Sequence, residues 1–255
     1  MSSNQQIVLN TILEQKRKEM DETLPESFFF NLFVVDQVLK DYELSYDEIN
    51  EGIVEGGCDG GIDALYTFVN GDLIQRDSDL IDVKRNAKIE LFIIQSKSQT
   101  GFGETPIEKC NSSAIDLFNL GNELDGLRAV YNNNLLTNIG VFRNQYLKTI
   151  SKFPVIEINY IYASKGIEVH NNVKRKVAIL ENTVKGQFSS AMFSFEFLTA
   201  DRLLELNRKD KIESKGMLLK DNPISTQDGG YIALVPIKSF LDFISDENGD
   251  IINTK

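Results

Sequence analysis

The sequence has few of the residues on which many metalloenzymes and hydrolases depend. Its single histidine is His170, and its only cysteines are Cys58 and Cys110. Two cysteines cannot form a disulfide framework, and one histidine nearly excludes a zinc site with several His or Cys ligands. A Ser-His-Asp mechanism would need His170, which lies beside two asparagines at a predicted helix start and is therefore a poor candidate.

Long apolar stretches and a leader-like beginning are also missing. No run of about 18 apolar residues occurs, which is the length that begins to span a bilayer. Residues 1–6 are polar and lack the basic-then-apolar layout of a signal peptide. We therefore expect a cytoplasmic protein with no membrane partner, in which Cys58 and Cys110 stay reduced and Cys110 is buried on the apolar face of a helix.

Positive charge is in short supply. The chain has 27 Lys and Arg against 38 Asp and Glu, a net charge of −11. Proteins that hold phosphate backbones by bulk attraction are usually basic. Any contact with nucleic acid must therefore use a local basic strip, a divalent metal or residues outside this chain.

Hydrophobic periodicity predicts an α/β fold in which helices and strands alternate. The predicted helices cover 7–20, 27–41, a segment opened by Thr105 as cap with Pro106 in the first position, 169–186 and 200–208. The predicted strands cover 62–69, 72–75, 89–96, 155–163, 192–198, 215–220 and 230–236. The apolar run at 89–96 indicates a central strand covered on both faces, and Ser45 and Glu48 form a capping-box pattern.

The composition changes near residue 209, which suggests three parts. We expect an N-terminal helix over 1–24, a main domain over 25–208 and the start of a further α/β segment over 209–255. No closing element follows the last predicted helix, so we expect the chain to be the N-terminal part of a longer protein.

A glycine-rich loop over 55–63 leads into the strand predicted at 62–69. If this strand pairs antiparallel with 89–96, its start lies beside the end of its partner. Asp63 is at that start, and Gln95 and Lys97 are at that end, on one face of the strand. The sequence therefore predicts that these three polar groups converge.

The predicted cluster suits metal-dependent hydrolysis of phosphodiester bonds. Asp63 is a hard oxygen ligand for Mg²⁺, for which Mn²⁺ should substitute, and the Gln95 amide and the Ser96 backbone carbonyl can add two more oxygens. The metal would polarise the phosphate and activate a water, while Lys97 would orient that water and stabilise developing charge. Either motif alone is also typical of an ordinary turn or of a solvated strand end.

These motifs resemble the PD-(D/E)xK nuclease superfamily in its D…QxK form, as found in Mrr-type restriction endonucleases. The surrounding sequence is similar to the abortive-infection phage-resistance (AIPR) family over roughly residues 25–205. The matching segments are Gly56-Gly-Cys-Asp-Gly-Gly-Ile-Asp-Ala-Leu-Tyr66, Asn70-Gly71, Ile93-Ile-Gln-Ser-Lys97 and Gly101-Phe-Gly-Glu104. The resemblance implies a restriction-endonuclease-like core with a central mixed sheet flanked by helices, in a bacterial phage-defence nuclease that cuts DNA.

The chain departs from that pattern in its acidic residues. Gln95 stands where many members have an acid, so the site has one fewer charge. Many members also take an acid from the first core helix, where Asp36 is the candidate; a solvent-facing aspartate is the equal alternative. Asp59 could be a second metal ligand, although a turn-forming role is favoured.

Two basic segments have open interpretations. Residues 174–176 could contact phosphates, but a solvated helix face is favoured. Lys84, Arg85 and Lys88 lie in a connection predicted to be beside the site, where they could guide nucleic acid towards Asp63, although flexible basic loops are common.

Three functional hypotheses follow. The leading one is a Mg²⁺-dependent endonuclease that favours DNA over RNA, with a homodimer as an open alternative to a single chain. The second is a nuclease-fold module with weak or absent catalysis that binds nucleic acid or a protein partner. The third is an unrelated α/β binding domain in which Asp63 only shapes a turn.

Overall fold

The structure is a computed structural model. It describes residues 3–54, 56–76, 80–209, 216–226, 231–245 and 251. The chain divides into two compact units, residues 1–211 and 212–255. The first unit therefore contains the predicted N-terminal helix together with the predicted main domain.

The first unit is an α/β domain, as the sequence predicts. Its helices are α1 Asn4–Met20, α2 Glu26–Leu39, α3 Tyr46–Gly52, α4 Glu104–Leu117, α5 Asn133–Thr149, α6 Asn171–Gln187 and α7 Ala200–Arg208. Its strands are β1 Ala64–Val69, β2 Asp72–Leu73, β3 Lys88–Lys97, β4 Val155–Ser164 and β5 Met192–Leu198. Strand β2 is shorter than the predicted segment 72–75.

The five strands form one mixed sheet in the order β2-β1-β3-β4-β5. Strand β1 pairs antiparallel with β2 and with β3, while β3, β4 and β5 run parallel. The predicted antiparallel pairing of the first and third strands is therefore confirmed. The parallel half follows from the helical crossovers α4–α5 and α6, because parallel neighbours need a long connection.

Helices cover both faces of the sheet. Helices α1, α2, α3 and α7 pack on one face, here called the α2 face, through side chains such as Leu9, Phe30 and Leu203. Helices α4, α5 and α6 pack on the other, the α4 face. Ile93 belongs to the core on the α4 face and Ile94 to the core on the α2 face, so β3 is covered on both sides as its apolar run predicts.

Two helix starts show how far local patterns reach. The capping box of α3 forms as predicted, with Ser45 Oγ accepting from Glu48 N at 3.3 Å and Ser45 N donating to Glu48 Oε2 at 2.8 Å. The predicted start of α4 is wrong: Gly103 is the N-cap and makes no side-chain cap, and Glu104 is the first helical residue. Pro106 is tolerated in the third position because the first-turn N–H groups lack intrahelical partners.

The second unit contains a hairpin and a helix among its described residues. Strands β6 Ile224–Ser225 and β7 Tyr231–Ile232 pair antiparallel, and helix α8 spans Ile237–Ile244. Residues 216–220 form no strand, so the strand predicted at 215–220 is wrong there, while residues 215 and 230 and most of the acidic end lie outside the described residues. Such short, exposed strands lack the packing that makes β patterns informative.

No helix within the described parts of the chain has both the length and the apolar character needed to cross a membrane.

Candidate active site

The pairing of β1 with β3 determines where Asp63 lies. Ala64 is opposite Ile94, and the Asp63 N–H donates to the Ile94 carbonyl at 2.8 Å. Asp63 therefore extends the ladder by one residue beyond β1 and lies beside the last residues of β3. This is the position that antiparallel register predicts from the sequence.

One residue before β1 and the last three residues of β3 meet at this end of the sheet. Asp63 Oδ2 accepts from the Ser96 N–H at 2.7 Å and from the Gln95 amide nitrogen, and it lies 3.9 Å from Lys97 Nζ. The same Gln95 nitrogen is 3.3 Å from the Ser96 carbonyl oxygen. The structure thus brings together Asp63, Gln95, Ser96 and Lys97.

The members of this cluster differ in access to solvent. Gln95 is 4% exposed and lies against Pro106 and Cys110 of α4. The Lys97 side chain is 42% exposed and that of Asp63 is 18% exposed. Asp63 and Lys97 therefore line an open groove, while Gln95 supports the carboxylate from behind.

Asn31 of α2 completes the cluster and was missed by the sequence reasoning. Its Nδ2 donates to the Asp63 carbonyl at 3.1 Å, and its Oδ1 accepts from Ser96 Oγ at 3.2 Å. Asn31 is 6% exposed, and its place within the otherwise apolar stretch 28–35 is the sequence signal that could have drawn attention to it.

Asp36 is not part of the site, so its proposed role as the helical acid is wrong. Asp36 lines a different depression with Lys16 and Tyr46, and its Oδ2 accepts from Gln37 Nε2 at 2.9 Å. On a helix, residues five positions apart point in clearly different directions. Since Asn31 faces the site, Asp36 faces away from it.

The glycine-rich loop is held against α4. The Gly61 N–H donates to Asp59 Oδ1 at 2.8 Å, which gives Asp59 the turn-forming role favoured from the sequence. Gly61 has φ +83°, and a Cβ there would lie 2.8 Å from Lys109 Cβ and 2.9 Å from the Pro106 carbonyl oxygen. Only glycine combines this backbone conformation with such close packing. The packing of Gly61 on α4 therefore determines the path of the backbone that leads to Asp63.

Burial changes the acidity of groups at the site. Burial raises the pKa of the Asp63 carboxyl above its ordinary 3.8, and nearby Asp59 adds to this, while Lys97 and Ser96 oppose it. Burial also raises the pKa of the Cys110 thiol to about 12. Cys110 therefore stays protonated, and its Sγ donates to the Gly61 carbonyl at 3.0 Å as a structural contact. Cys58 is exposed, and both cysteines are free.

The basic segments lie elsewhere. Lys88 is the first residue of β3 and Lys97 is the last, so the segment containing Lys84, Arg85 and Lys88 is at the opposite end of the sheet; its predicted place beside the site is wrong. Lys176 on α6 pairs with Glu108 at 2.6 Å, which neutralises part of the 174–176 cluster.

His170 caps a helix. Its Nδ1 accepts from the Asn172 N–H at 3.2 Å at the start of α6, as its position beside the two asparagines predicts.

The oxygen atoms at the cluster are of the type that a hard divalent cation prefers. Asp63 supplies a carboxylate and Ser96 a backbone carbonyl, and the Gln95 amide reaches both of them. An amide carries its nitrogen and oxygen at nearly equivalent ends, so the same side chain can offer oxygen instead. The described residues contain no group of three or more His, Cys, Asp or Glu placed to hold a metal, so a ligand set drawn from them would include neutral oxygens.

Comparison with models of protein families, with curated proteins and with solved structures found no match in any of the three.

Proposed function

We propose that this chain is a metal-dependent nuclease that hydrolyses phosphodiester bonds at the Asp63–Lys97 groove. One observation carries the proposal: a carboxylate, a backbone carbonyl and a half-exposed lysine converge at the open end of a buried strand pair. A phosphodiester needs both a metal-binding oxygen cluster and a cation near its charged oxygens. The groove offers both within one hydrogen-bonded set.

Asp63, the Ser96 carbonyl and the Gln95 amide oxygen would hold Mg²⁺, with Mn²⁺ as a substitute. When bound, the ion would supply Lewis acidity towards the phosphate and lower the pKa of a coordinated water. The hydrogen bond from Ser96 N already orients the Asp63 carboxylate. Asn31 holds the backbone of Asp63 and the hydroxyl of Ser96 in the same arrangement.

Lys97 would contact the substrate directly. Its ammonium group lies 3.9 Å from the Asp63 carboxylate, a distance that leaves room for hydrogen bonds to a phosphate oxygen or to the attacking water. The glycines of the preceding loop let a phosphate backbone approach without a Cβ in the way. The chain's acidity confines attraction for nucleic acid to this local arrangement.

The mixed sheet with helices on both faces supports the finer proposal of a restriction-endonuclease-like core. The resemblance of the loop and strand motifs to the AIPR family supports a role in bacterial defence against phage, with DNA favoured over RNA. Cutting both strands of a duplex would be consistent with a homodimer.

Metal binding and cleavage test the proposal together. Purified protein should cut DNA or RNA when Mg²⁺ or Mn²⁺ is added, and Mn²⁺ should bind at Asp63 in calorimetric titration. Asp63→Asn should lose both properties and stay folded, because the amide keeps the acceptor for Ser96 N. Asp125→Asn, an exposed aspartate near the start of α5, is the matched control and should behave as wild type. Wild-type protein that neither binds Mn²⁺ nor cuts nucleic acid would refute the proposal.

A second candidate function has one observation in its favour. Asp63 is the single carboxylate in the hydrogen-bonded cluster, where Gln95 acts as a donor to it. A single carboxylate among the candidate metal ligands is what we would expect of a nuclease-fold module that binds nucleic acid or a protein partner with little or no catalysis. Comparison of wild type with Lys97→Ala separates the two: lost cleavage with retained nucleic-acid binding identifies the enzyme, and unchanged behaviour identifies the module.

A further inference from the structure

A second cavity lies on the α2 face, apart from the candidate active site. It encloses about 630 Å³ of space open to solvent between α1, the start of α2 and Lys165, the residue after β4. None of its lining residues borders the Asp63–Lys97 groove. Its polar side chains are Asn10, Glu14, Arg17, Glu26 and Lys165.

Lys165 is an immobilised cation within this cavity. It is 6% exposed, its N–H donates to the Gln99 carbonyl at 3.1 Å, and its own carbonyl accepts from Gln6 Nε2 at 2.9 Å. Its ammonium lies 5.8 Å from the centre of the Phe30 ring. Burial of a charged side chain without a firm counter-ion is costly, so the nature of its partner matters.

That partner is a poorly anchored carboxylate. Glu26 Oε1 lies 2.6 Å from Lys165 Nζ, yet the Glu26 side chain is 69% exposed while that of Lys165 is 8% exposed. The hydrogen bond and charge of Lys165, with a smaller contribution from Arg17, lower the pKa of Glu26. Glu26 therefore stays ionised between two cations and can turn to solvent with little rearrangement, whereas Lys165 cannot.

Arg17 strengthens the positive side of the cavity. Its Nη1 donates to the neutral Leu24 carbonyl at 2.9 Å, which orients the guanidinium without neutralising it. The two carboxylates in the cavity, Glu14 and Glu26, are both exposed. With Glu26 turned outward, the fixed groups Lys165 and Arg17 and the Asn10 amide present an anion site that suits a doubly charged, oxygen-rich group.

We propose that this cavity binds a phosphate monoester, whose dianion takes the place of the Glu26 carboxylate between Lys165 and Arg17. Two cations favour a dianion over a monovalent carboxylate such as acetate. The phosphate could belong to a free nucleotide or to the 5′-phosphorylated end of a nucleic-acid strand, which share this chemistry. The inference does not depend on nuclease activity, since the cavity and the groove are separate.

Calorimetric titration of the full chain in metal-free buffer with EDTA tests the proposal, because cleavage cannot occur there. The probes are inorganic phosphate, AMP, a 5′-phosphorylated oligonucleotide and its 5′-hydroxyl counterpart, with acetate as the negative control. Glu26→Gln removes the internal competitor and should tighten binding of phosphate and AMP by about threefold or more. Glu123→Gln makes the same charge change on the α4 face and should leave the affinity unchanged.

Lys165→Met keeps the apolar stem and should weaken binding by about tenfold or more, since a charge-assisted contact is lost. Circular dichroism checks that Lys165→Met folds. If it does not fold, the comparison of Glu26→Gln with wild type tests the proposal, because Glu26 is exposed. Preference for the 5′-phosphorylated strand assigns the phosphate to a nucleic-acid end, and binding of AMP alone assigns it to a free nucleotide. Three results would each overturn the proposal. The first is that neither wild type nor Glu26→Gln shows saturable binding, and the second is that Glu26→Gln and Glu123→Gln bind with equal affinity. The third is that a folded Lys165→Met protein binds as tightly as wild type.

Discussion

The two ends of strand β3 each carry a lysine, and the difference between them separates a structural cluster from a candidate active site. The side chains of Lys88 and Lys97 have the same exposed fraction, 42%. Lys88 Nζ lies 2.7 Å from Glu90 and 2.9 Å from Glu157, whereas Lys97 Nζ has one carboxylate partner among the described residues, Asp63 at 3.9 Å. One ammonium is fully paired and the other retains capacity for a further anion.

The surroundings of the two lysines also differ: the Lys88 end is closed by other side chains, and the Lys97 end is open. Glu90, beside Lys88, has a side chain that is 8% exposed and also accepts from the Tyr42 hydroxyl at 3.1 Å, so that end is closed by its own contacts. At the other end, Asp63 and Lys97 border an open groove with Ser27 and Phe28. Exposure and residue type do not distinguish the two lysines; the partners supplied by neighbouring strands do.

The largest expected effect comes from alanine at each lysine. Lys97→Ala should reduce Mg²⁺-dependent cleavage by about 100-fold or more, because a cation that stabilises charge in the transition state is removed. Lys88→Ala should change the rate by about twofold or less, since Lys88 lies about 30 Å away along the ten-residue strand. Cleavage rates of both variants under saturating metal measure this, and equal losses would erase the distinction between the two ends.

For the free energy of unfolding we expect the opposite order, with the larger effect at Lys88 and the smaller at Lys97. Lys88→Met should lower the free energy of unfolding by about 2 kcal/mol, because it leaves the buried Glu90 carboxylate without its cation. Lys97→Met should change it by about 0.5 kcal/mol or less, as an exposed pair contributes little. Glu90 and Glu157 raise the pKa of Lys88, so its contribution is present at neutral pH and is lost only as the pH rises through that raised value. Urea unfolding of the two variants checks this ordering.

Asn31 is expected to support metal binding at the Lys97 end of β3. Asn31→Ala removes contacts to the Asp63 carbonyl and the Ser96 hydroxyl, and we expect about tenfold weaker Mn²⁺ binding with a matching loss of cleavage at limiting metal. Excess Mn²⁺ should restore most of the rate, which a defect in folding would not allow. Asn172→Ala, an exposed asparagine on α6, serves as the control. Unchanged metal affinity in Asn31→Ala would remove Asn31 from the site.

The smallest expected effect concerns the pH dependence of Asp63. Its raised pKa means that the folded chain binds a proton at Asp63 more tightly than the unfolded chain does. The destabilisation by the ionised carboxylate is absent below the ordinary pKa of 3.8 and develops as the pH rises through the raised value. Asp63→Asn should therefore stabilise the metal-free protein at neutral pH and leave its stability unchanged in acid.

Thermal unfolding of wild type and Asp63→Asn across this pH range measures the effect. Mg²⁺ affinity of the wild type should rise through the same interval, since the metal needs the ionised carboxylate. A stability difference that is constant with pH would show that Asp63 does not carry the raised pKa.

Much of the site was predictable because its geometry follows from short-range rules. If β1 and β3 pair antiparallel, as the structure shows, the start of β1 lies beside the end of β3, and this places Asp63 beside Gln95. The capping box at Ser45 is similarly local. The start of α4 at Glu104 was missed by two residues because Gly103 caps it without any side-chain signal.

Features that depend on packing between distant segments were not predictable. Asp36 has more obvious metal-binding chemistry than Asn31, but the orientation of α2 turns Asn31 towards the site. Lys88 follows a basic connection that is close to Lys97 in sequence, yet the length of β3 separates them in space.

The sequence by itself determined which residues lie at the start of β1 and at the end of β3, and hence that Asp63, Gln95 and Lys97 meet once these strands pair antiparallel, because side-chain alternation acts over a few residues. Only the tertiary structure decided that Lys97 remains available while Lys88 is paired, and that Lys165 is buried beside an exposed Glu26. The charges that surround each lysine come from other strands and helices. Their positions depend on how the whole domain packs, which no local pattern encodes.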